Sequence, residues 1–132
     1  MPKKVLLVGH CGADSTYLRM AVKKAAGDPE ILQAEDSAEL EHALETQSID
    51  LVLFNRQLDY GFGSDQGTEV IRSFHGKHPN TKMMLISNYP EAQQAAVAAG
   101  ALHGFGKREI GTPRVTELLR SALGLTSAKT PT

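Results

Sequence analysis

Four short apolar runs and a weaker fifth, each bounded by turn-forming residues, most constrain how this chain can fold. A run of about four to eight apolar residues between such signals is typical of a buried strand. The predicted strands are 5–8, 31–34, 51–54, 83–86 and 102–105. The first, third and fourth are almost wholly apolar, which is expected of strands that are covered on both faces of a sheet.

Helical patterns lie between and after these runs. Apolar residues recur three and four positions apart, the spacing of one helix face, in segments 17–25, 40–44, 70–74, 92–99 and 115–122. Asp14 is expected to cap the first helix, and Asp36 or Ser37 the second, because their side-chain oxygens accept from free backbone N–H groups. Thr112 followed by Pro113 is typical of the start of a last helix.

Strict alternation of strands and helices predicts a parallel sheet with helices on both faces and right-handed crossovers. In such sheets, ligands and chemistry lie at the carboxyl ends of the strands. Functional residues are therefore expected in the four loops 9–14, 55–65, 87–89 and 106–109.

Length and composition narrow the class of protein. The 132 residues predict one domain over residues 1–124 and a flexible tail over residues 125–132. A net charge of −1 leaves no basic surplus for nucleic-acid binding. The single cysteine, Cys11, excludes an internal disulfide. Because the apolar runs are too short for a bilayer span or a signal peptide, we expect a cytoplasmic protein.

The residues around the strand ends resemble those of a known family. They are segment 49–54 entering the third strand, Gly67 opening the third helix, segment 85–88 at the fourth strand and segment 99–105 around the fifth. In this order they resemble the receiver domain of bacterial two-component response regulators, the CheY-like domains, over roughly residues 3–124. The resemblance implies a flavodoxin-like (βα)5 three-layer sandwich with strand order 2-1-3-4-5.

The resemblance also implies that this chain lacks residues that the family needs for phosphorylation. In the family, a carboxylate after the third strand accepts a phosphoryl group, and two acidic residues after the first strand help hold Mg²⁺. The matching positions are Asn55 and the pair Gly9 and His10. Because an amide is a poor nucleophile and Mg²⁺ prefers charged oxygen ligands, the match implies a degenerate receiver. We therefore expect no enzyme activity, no catalytic residue, no metal and no cofactor.

Two other positions of the family's site have matching residues in this chain, and a third position has two candidates. The hydroxyl residue after the fourth strand matches Ser87, and the aromatic that the family uses as a rotating switch matches Phe105. The family lysine follows that aromatic by three residues. Arg108 matches this position without a gap, whereas Lys107 matches it by chemical identity, so both assignments stay open.

Two alternative functions stay open as well. The loop after Asn55 is longer than in the family, and its Asp59 or Asp65 could serve as an active phosphoacceptor. Alternatively, Cys11 before a helix N-terminus could be the reactive thiol of a small-ligand or enzyme domain.

The resemblance implies signal transduction through protein–protein contacts. Expected partners are signalling proteins, such as a histidine kinase or an output protein. The alanine-rich fourth helix, with the fifth strand and fifth helix, offers a face for a homodimer. We expect neither a nucleic-acid nor a membrane partner.

Overall fold

The computed structural model describes residues 2–10, 12–58, 60–62 and 64–125. Within these ranges, strands and helices alternate along the chain. The strands are β1 (Lys4–Val8), β2 (Glu30–Ala34), β3 (Leu51–Asn55), β4 (Met83–Ile86) and β5 (Leu102–Phe105). The α-helices are α1 (Gly12–Ala26), α2 (Ser37–Thr46), α3 (Gly67–Lys77), α4 (Pro90–Ala98) and α5 (Pro113–Ala122). Short 3-10 turns cover Tyr60–Phe62 and Lys107–Glu109.

The strands form one parallel sheet in the order β2-β1-β3-β4-β5. This confirms the predicted flavodoxin-like (βα)5 sandwich and its strand order. Because all strands run the same way, their carboxyl ends meet at one edge. There Val8 pairs with Ala34 on one side and with Phe54 on the other. The loops that follow β1, β3, β4 and β5 are thereby brought together.

Two apolar layers pack against the sheet because successive strand residues point to opposite faces. Leu6 and Val8 face the layer that includes α2, α3 and α4. Val5 and Leu7 face the layer formed with α1 and α5. The near-continuous apolar strands of the sequence are thus explained by burial on both faces.

The helix starts agree with the sequence pattern at α2 and at α5, which begins at Pro113 with Thr112 as its N-cap residue, and differ at α1. Asp36 caps α2, where its Oδ1 accepts from the backbone N–H of Glu39 at 2.8 Å. The expectation that Asp14 caps α1 is wrong, because α1 already begins at Gly12 and Asp14 lies within its first turn. The Asp14 carboxylate instead contacts a cation, as described below.

The first residue of the predicted flexible tail, Leu125, contacts the domain. The backbone N–H of Leu125 donates to the carbonyl of Arg120 at 2.8 Å, and its side chain packs against the α1 and α5 layer. Residues 126–132, the rest of that tail, lie outside the described residues. Among the helices of the described ranges, none combines the length and apolar character needed to cross a membrane.

Candidate functional site

A cavity of about 180 Å³ opens at the carboxyl edge of the sheet, and we call it the strand-end cavity. It brings together Asn55, Ser87 and Lys107, three of the residues predicted from the sequence. The loops after β3, β4 and β5 supply most of its lining: Asn55, Arg56 and Gln57; Ser87, Asn88 and Tyr89; and Lys107.

Asn55, the last residue of β3, forms hydrogen bonds through both the nitrogen and the oxygen of its side-chain amide. Its Nδ2 donates to the carbonyl oxygen of Gly9 at 3.1 Å, and its Oδ1 accepts from the backbone N–H of Arg56 at 3.0 Å. A carbonyl oxygen can only accept, so this position requires a donor. An amide meets that requirement, whereas a carboxylate would place two acceptors against each other.

Gly9, the first residue after β1, lies against apolar side chains from the loop after β3. Its φ of +73° lies in the left-handed region, and a Cβ at this position would overlap the Cδ2 methyl of Leu58. Leu58 is 6% exposed and Phe62 is 5% exposed, and both belong to the core layer on the α3 side. The place where a first-strand carboxylate would extend is therefore occupied by hydrocarbon from the loop after β3.

His10 is a buried, neutral side chain. Its Nε2 donates to the carbonyl of Leu53 at 2.9 Å, while Nδ1 has no hydrogen-bond partner among the described residues. Burial lowers the pKa of His10 from 6.5 to about 4; the Leu53 hydrogen bond opposes this shift, nearby Lys107 adds to it and Asp14 opposes it. Desolvation outweighs the favourable contacts, so the imidazole carries no charge at neutral pH.

Lys107, in the loop after β5, lines the strand-end cavity. Its Nζ lies 2.6 Å from Oδ2 of Asp14, so the first turn of α1 holds the ammonium in place. Arg108 is exposed, is not among the cavity-lining residues, and contributes a backbone N–H to Oδ1 of Asn88 at 3.2 Å. Of the two cations left open by the sequence, Lys107 is the one that lines the cavity.

Arg56 is a second cavity cation, and the sequence pattern did not predict it. Its guanidinium carbon lies 4.9 Å from the centre of the Tyr89 ring, a cation–π distance. The contact joins the loop after β3 to the loop after β4. Its position directly after Asn55 was the signal available in the sequence.

Ser87 and Phe105 lie next to each other at the β4–β5 edge. The backbone N–H of Ser87 donates to the carbonyl of Phe105 at 3.0 Å, and Ser87 Oγ accepts from the backbone N–H of Tyr89 at 3.1 Å. The Phe105 side chain is buried in the α1 and α5 layer. A backbone hydrogen bond thus joins the two residues that the resemblance matches to the family's switch positions.

Gln93, a buried side chain of α4, stabilises an irregularity at this edge that the sequence did not predict. Met84 pairs with Leu102 and Ile86 with Phe105, so β5 carries one residue more than β4 between the two pairs. The Gln93 amide compensates for the shift. Its Nε2 donates to the carbonyls of Leu85 and Ser87 at 2.9 and 3.1 Å, and its Oε1 accepts from Gly104 at 2.8 Å.

The remaining predicted residues lie elsewhere or cannot be placed. Asp65 lines a neighbouring groove together with Arg56 and Glu91, and does not line the strand-end cavity. Asp59 and Cys11 lie outside the described residues. Within the described ranges, no three His, Cys, Asp or Glu side chains are grouped so that they could hold a metal ion.

Comparison with known proteins identifies the fold. No family model matches the chain, and no curated protein is a significant relative. Solved structures do match. The signal receiver domain of an HD domain-containing protein from Pseudomonas fluorescens Pf-5 is 19% identical with a TM-score of 0.74, covering 94% of this chain and 96% of that chain.

Two further structures give the same result. A response regulator from Thermotoga maritima is 20% identical with a TM-score of 0.74, covering 94% of this chain and 99% of that one. The N-terminal receiver domain of a two-component response regulator from Bacteroides fragilis is 15% identical with a TM-score of 0.74, covering 96% and 100%. The chain therefore has the fold of response-regulator receiver domains, as the sequence resemblance predicted.

Proposed function

We propose that this chain is a degenerate receiver domain, a binding module and not an enzyme, that acts in signal transduction without Asp phosphorylation. The hydrogen bond from Asn55 Nδ2 to the carbonyl of Gly9, at 3.1 Å, carries the proposal. It places a neutral donor at the position that matches the family's phosphoacceptor. The position therefore holds no carboxylate that could act as the nucleophile.

The surroundings of Gly9 support the same function. A metal ion that neutralises an incoming phosphoryl group needs oxygen ligands close to the acceptor. Leu58 and Phe62 instead pack beside Gly9, and His10 is buried and hydrogen-bonded to Leu53. These three side chains offer no carboxylate for Mg²⁺.

The proposed output surface is formed by α4 and β5. Val97 is 45% exposed and Leu102 is 40% exposed on this edge of the sheet. Gln93 ties the same helix to β4 and β5 through its three buried hydrogen bonds. We infer that a signalling protein, or a second copy of this chain, covers the exposed apolar side chains in the cytoplasm.

Intact-mass spectrometry after incubation with Mg²⁺ and acetyl phosphate tests the proposal. Wild type and Asn55→Asp are compared, and a phosphorylatable receiver domain in the same mixture verifies the donor. We expect no phosphoryl adduct on wild type. An adduct on Asn55→Asp alone would support the view that the missing nucleophile silences the site.

An adduct on wild type would overturn the proposal. Peptide mapping to Asp59 or Asp65 would then identify the active phosphoacceptor that the sequence left open. A separate thiol-alkylation time course at neutral pH examines the enzyme alternative, since a thiolate-like Cys11 would react much faster than an ordinary cysteine.

A further inference from the structure

Helix α2 leaves a groove uncovered at the β2 edge of the sheet. Strand β2 pairs with β1 and ends the sheet on that side. One residue of α2 is buried, whereas α1 buries five. Between α2 and β2 lies a groove of about 440 Å³, which we call the α2 groove. Leu32, Ala38 and Ala43 form its apolar lining, and Glu39 and His42 are among its polar residues. An exposed apolar groove of this kind is typical of a surface that another chain covers.

The α2 groove lies in the most acidic part of the chain. Segment 28–50 holds eight of the 15 Asp and Glu residues and neither Lys nor Arg, so the potential at this surface is negative. The nearby Lys4 of β1 pairs with Glu30 at 3.9 Å. Glu39 lines the groove, Glu45 is exposed on the same helix, and neither has a cationic partner among the described residues. The groove therefore matches a partner that carries cations around an apolar side chain.

Helix α1 presents that arrangement on its outer face. Met20 is 61% exposed, and Lys23 and Lys24 follow it by three and four positions, which places all three side chains on the same side of the helix. Arg19 precedes Lys23 by four positions, and these like charges have no anionic partner in the part of the chain that the structure describes. The carboxylate of α1, Asp14, lies in its first turn and is paired with the loop after β5. The second half of α1 is therefore a cationic face with an apolar centre, which we call the α1 face.

The α1 face and the α2 groove cannot meet within one molecule. Helix α1 packs in the apolar layer on one side of the sheet, through residues such as Leu18 and Val22. Helix α2 packs in the layer on the other side, through Leu40. Because the sheet separates the two helices, their unpaired charges can neutralise each other only between two molecules.

From this complementarity we propose that the α2 groove of one molecule binds the α1 face of a second copy, with Met20 in the groove and Lys23 and Lys24 beside its glutamates. The flexible thioether of methionine adapts to an irregular apolar groove. The contact joins two different surfaces, so each molecule at the end of an assembly keeps one of them free, and copies add head to tail. This inference goes beyond the proposed function and uses neither the strand-end cavity nor the α4–β5 surface.

Sedimentation velocity of the full chain tests the inference. Every protein in the test carries Val97→Glu, so that the α4–β5 surface cannot contribute to association. We expect oligomers that grow with protein concentration at about 0.01 M salt and dissociate at about 1 M salt. The reason is that the Debye length falls from about 30 Å to about 3 Å between these conditions.

Reciprocal charge variants identify the two surfaces that meet. Lys23→Glu with Lys24→Glu makes the α1 face acidic like the α2 groove, and Glu39→Lys with Glu45→Lys makes the groove basic like the α1 face. Each of these proteins alone is expected to be monomeric, because like charges then oppose each other. An equimolar mixture of the two is expected to associate again, because each surface then finds its opposite on the other protein.

Matched controls separate the two surfaces from an effect of net charge. Arg72→Glu with Lys77→Glu has the same net charge as the acidic variant, and Glu69→Lys with Glu91→Lys has that of the basic variant. All four positions are exposed and lie outside both surfaces. Each control is expected to associate with a Kd within about threefold of the parent protein.

Three outcomes would overturn the inference: a parent protein that stays monomeric at low salt, a control that loses association as fully as its matched variant, or a mixture that stays monomeric. If Glu39→Lys with Glu45→Lys loses its helical circular dichroism, Glu45→Lys alone replaces it, because Glu39 also accepts from the backbone N–H of Glu35. Failure of this association leaves the phosphotransfer result unchanged, since sedimentation involves no phosphoryl donor.

Discussion

The side-chain amide of Asn55 lies 3.1 Å from the carbonyl oxygen of Gly9, so the end of β3 is tied to the turn after β1. Asn55→Asp removes the donor and sets a carboxylate against that carbonyl. We expect a loss of about 1–3 kcal/mol in the free energy of unfolding, measured by urea denaturation.

Asn88→Asp is the matched control for this change. Its Oδ1 accepts from Arg108, a role that a carboxylate can also fill, and the residue is exposed. We expect its stability to stay within about 0.5 kcal/mol of wild type. Equal stability of the two variants would contradict the role given to the Asn55–Gly9 hydrogen bond.

Gly9→Ala tests the packing of the Leu58 side chain against Gly9, next to the end of β1. The added methyl group would meet both an unfavourable φ of +73° and the side chain of Leu58. We expect destabilisation of about 2–4 kcal/mol by thermal or urea unfolding. Gly27→Ala isolates the backbone contribution, because Gly27 has a φ of +84° and nothing within 4 Å of its Cβ position.

The difference between these two glycine variants measures the packing against Leu58. We expect Gly27→Ala to destabilise by only about 1 kcal/mol. If both alanine variants were equally stable, the space beside Gly9 could accept a side chain, and the argument against a first-strand ligand would fail.

His10 predicts a specific pH dependence of stability. Its pKa of about 4 in the folded chain lies below its ordinary value of 6.5, so the unfolded chain binds more protons between these pH values. Stability therefore falls as pH drops from 6.5 towards 4, by up to about 3 kcal/mol from this residue. Urea unfolding at several pH values measures the slope.

His10→Gln should flatten that slope, because glutamine can donate to Leu53 without titrating. His103→Gln, a substitution at an exposed histidine on β5, should leave the slope unchanged. An identical slope in wild type and His10→Gln would assign the acid sensitivity to other groups.

Gln93→Leu should destabilise the β4–β5 edge. The substitution leaves the carbonyls of Leu85 and Ser87 and the N–H of Gly104 without their side-chain partner. We expect a loss of about 3 kcal/mol and faster hydrogen exchange at the Gly104 amide. Gln94→Leu, at the next and exposed position of α4, should leave both quantities near those of wild type. Slow exchange at Gly104 in Gln93→Leu would refute the bridging role.

The proposed α4–β5 surface makes a prediction about assembly. If a second copy covers Val97 and Leu102, sedimentation velocity should show a dimer that dissociates on dilution. Val97→Glu should abolish that dimer, because it would place a charge in the apolar contact. Tyr17→Glu, an exposed aromatic on α1, is the control and should preserve it. A dimer unaffected by Val97→Glu would show that the interface lies elsewhere on the molecule.

Much of the fold was predictable because its signals are local. Each strand was predicted to within one residue of its observed ends, since short apolar runs between turn residues reflect burial on both faces. The Asp36 cap was equally local, because an N-cap acts on a backbone group three residues away. Asp14 was assigned wrongly, because the start of α1 at Gly12 carries no such signal.

The sequence by itself determined the alternation of strands and helices, the loops that share one sheet edge, and the neutral residue at the end of β3. Only the tertiary structure decided how those loops fill the space between them. Leu58 packs beside Gly9, Lys107 reaches Asp14, and Gln93 bridges β4 and β5. The Asn55–Gly9 bond joins residues 46 positions apart. Periodicity reports which side of an element is buried, whereas contacts between distant loops depend on how the whole chain packs.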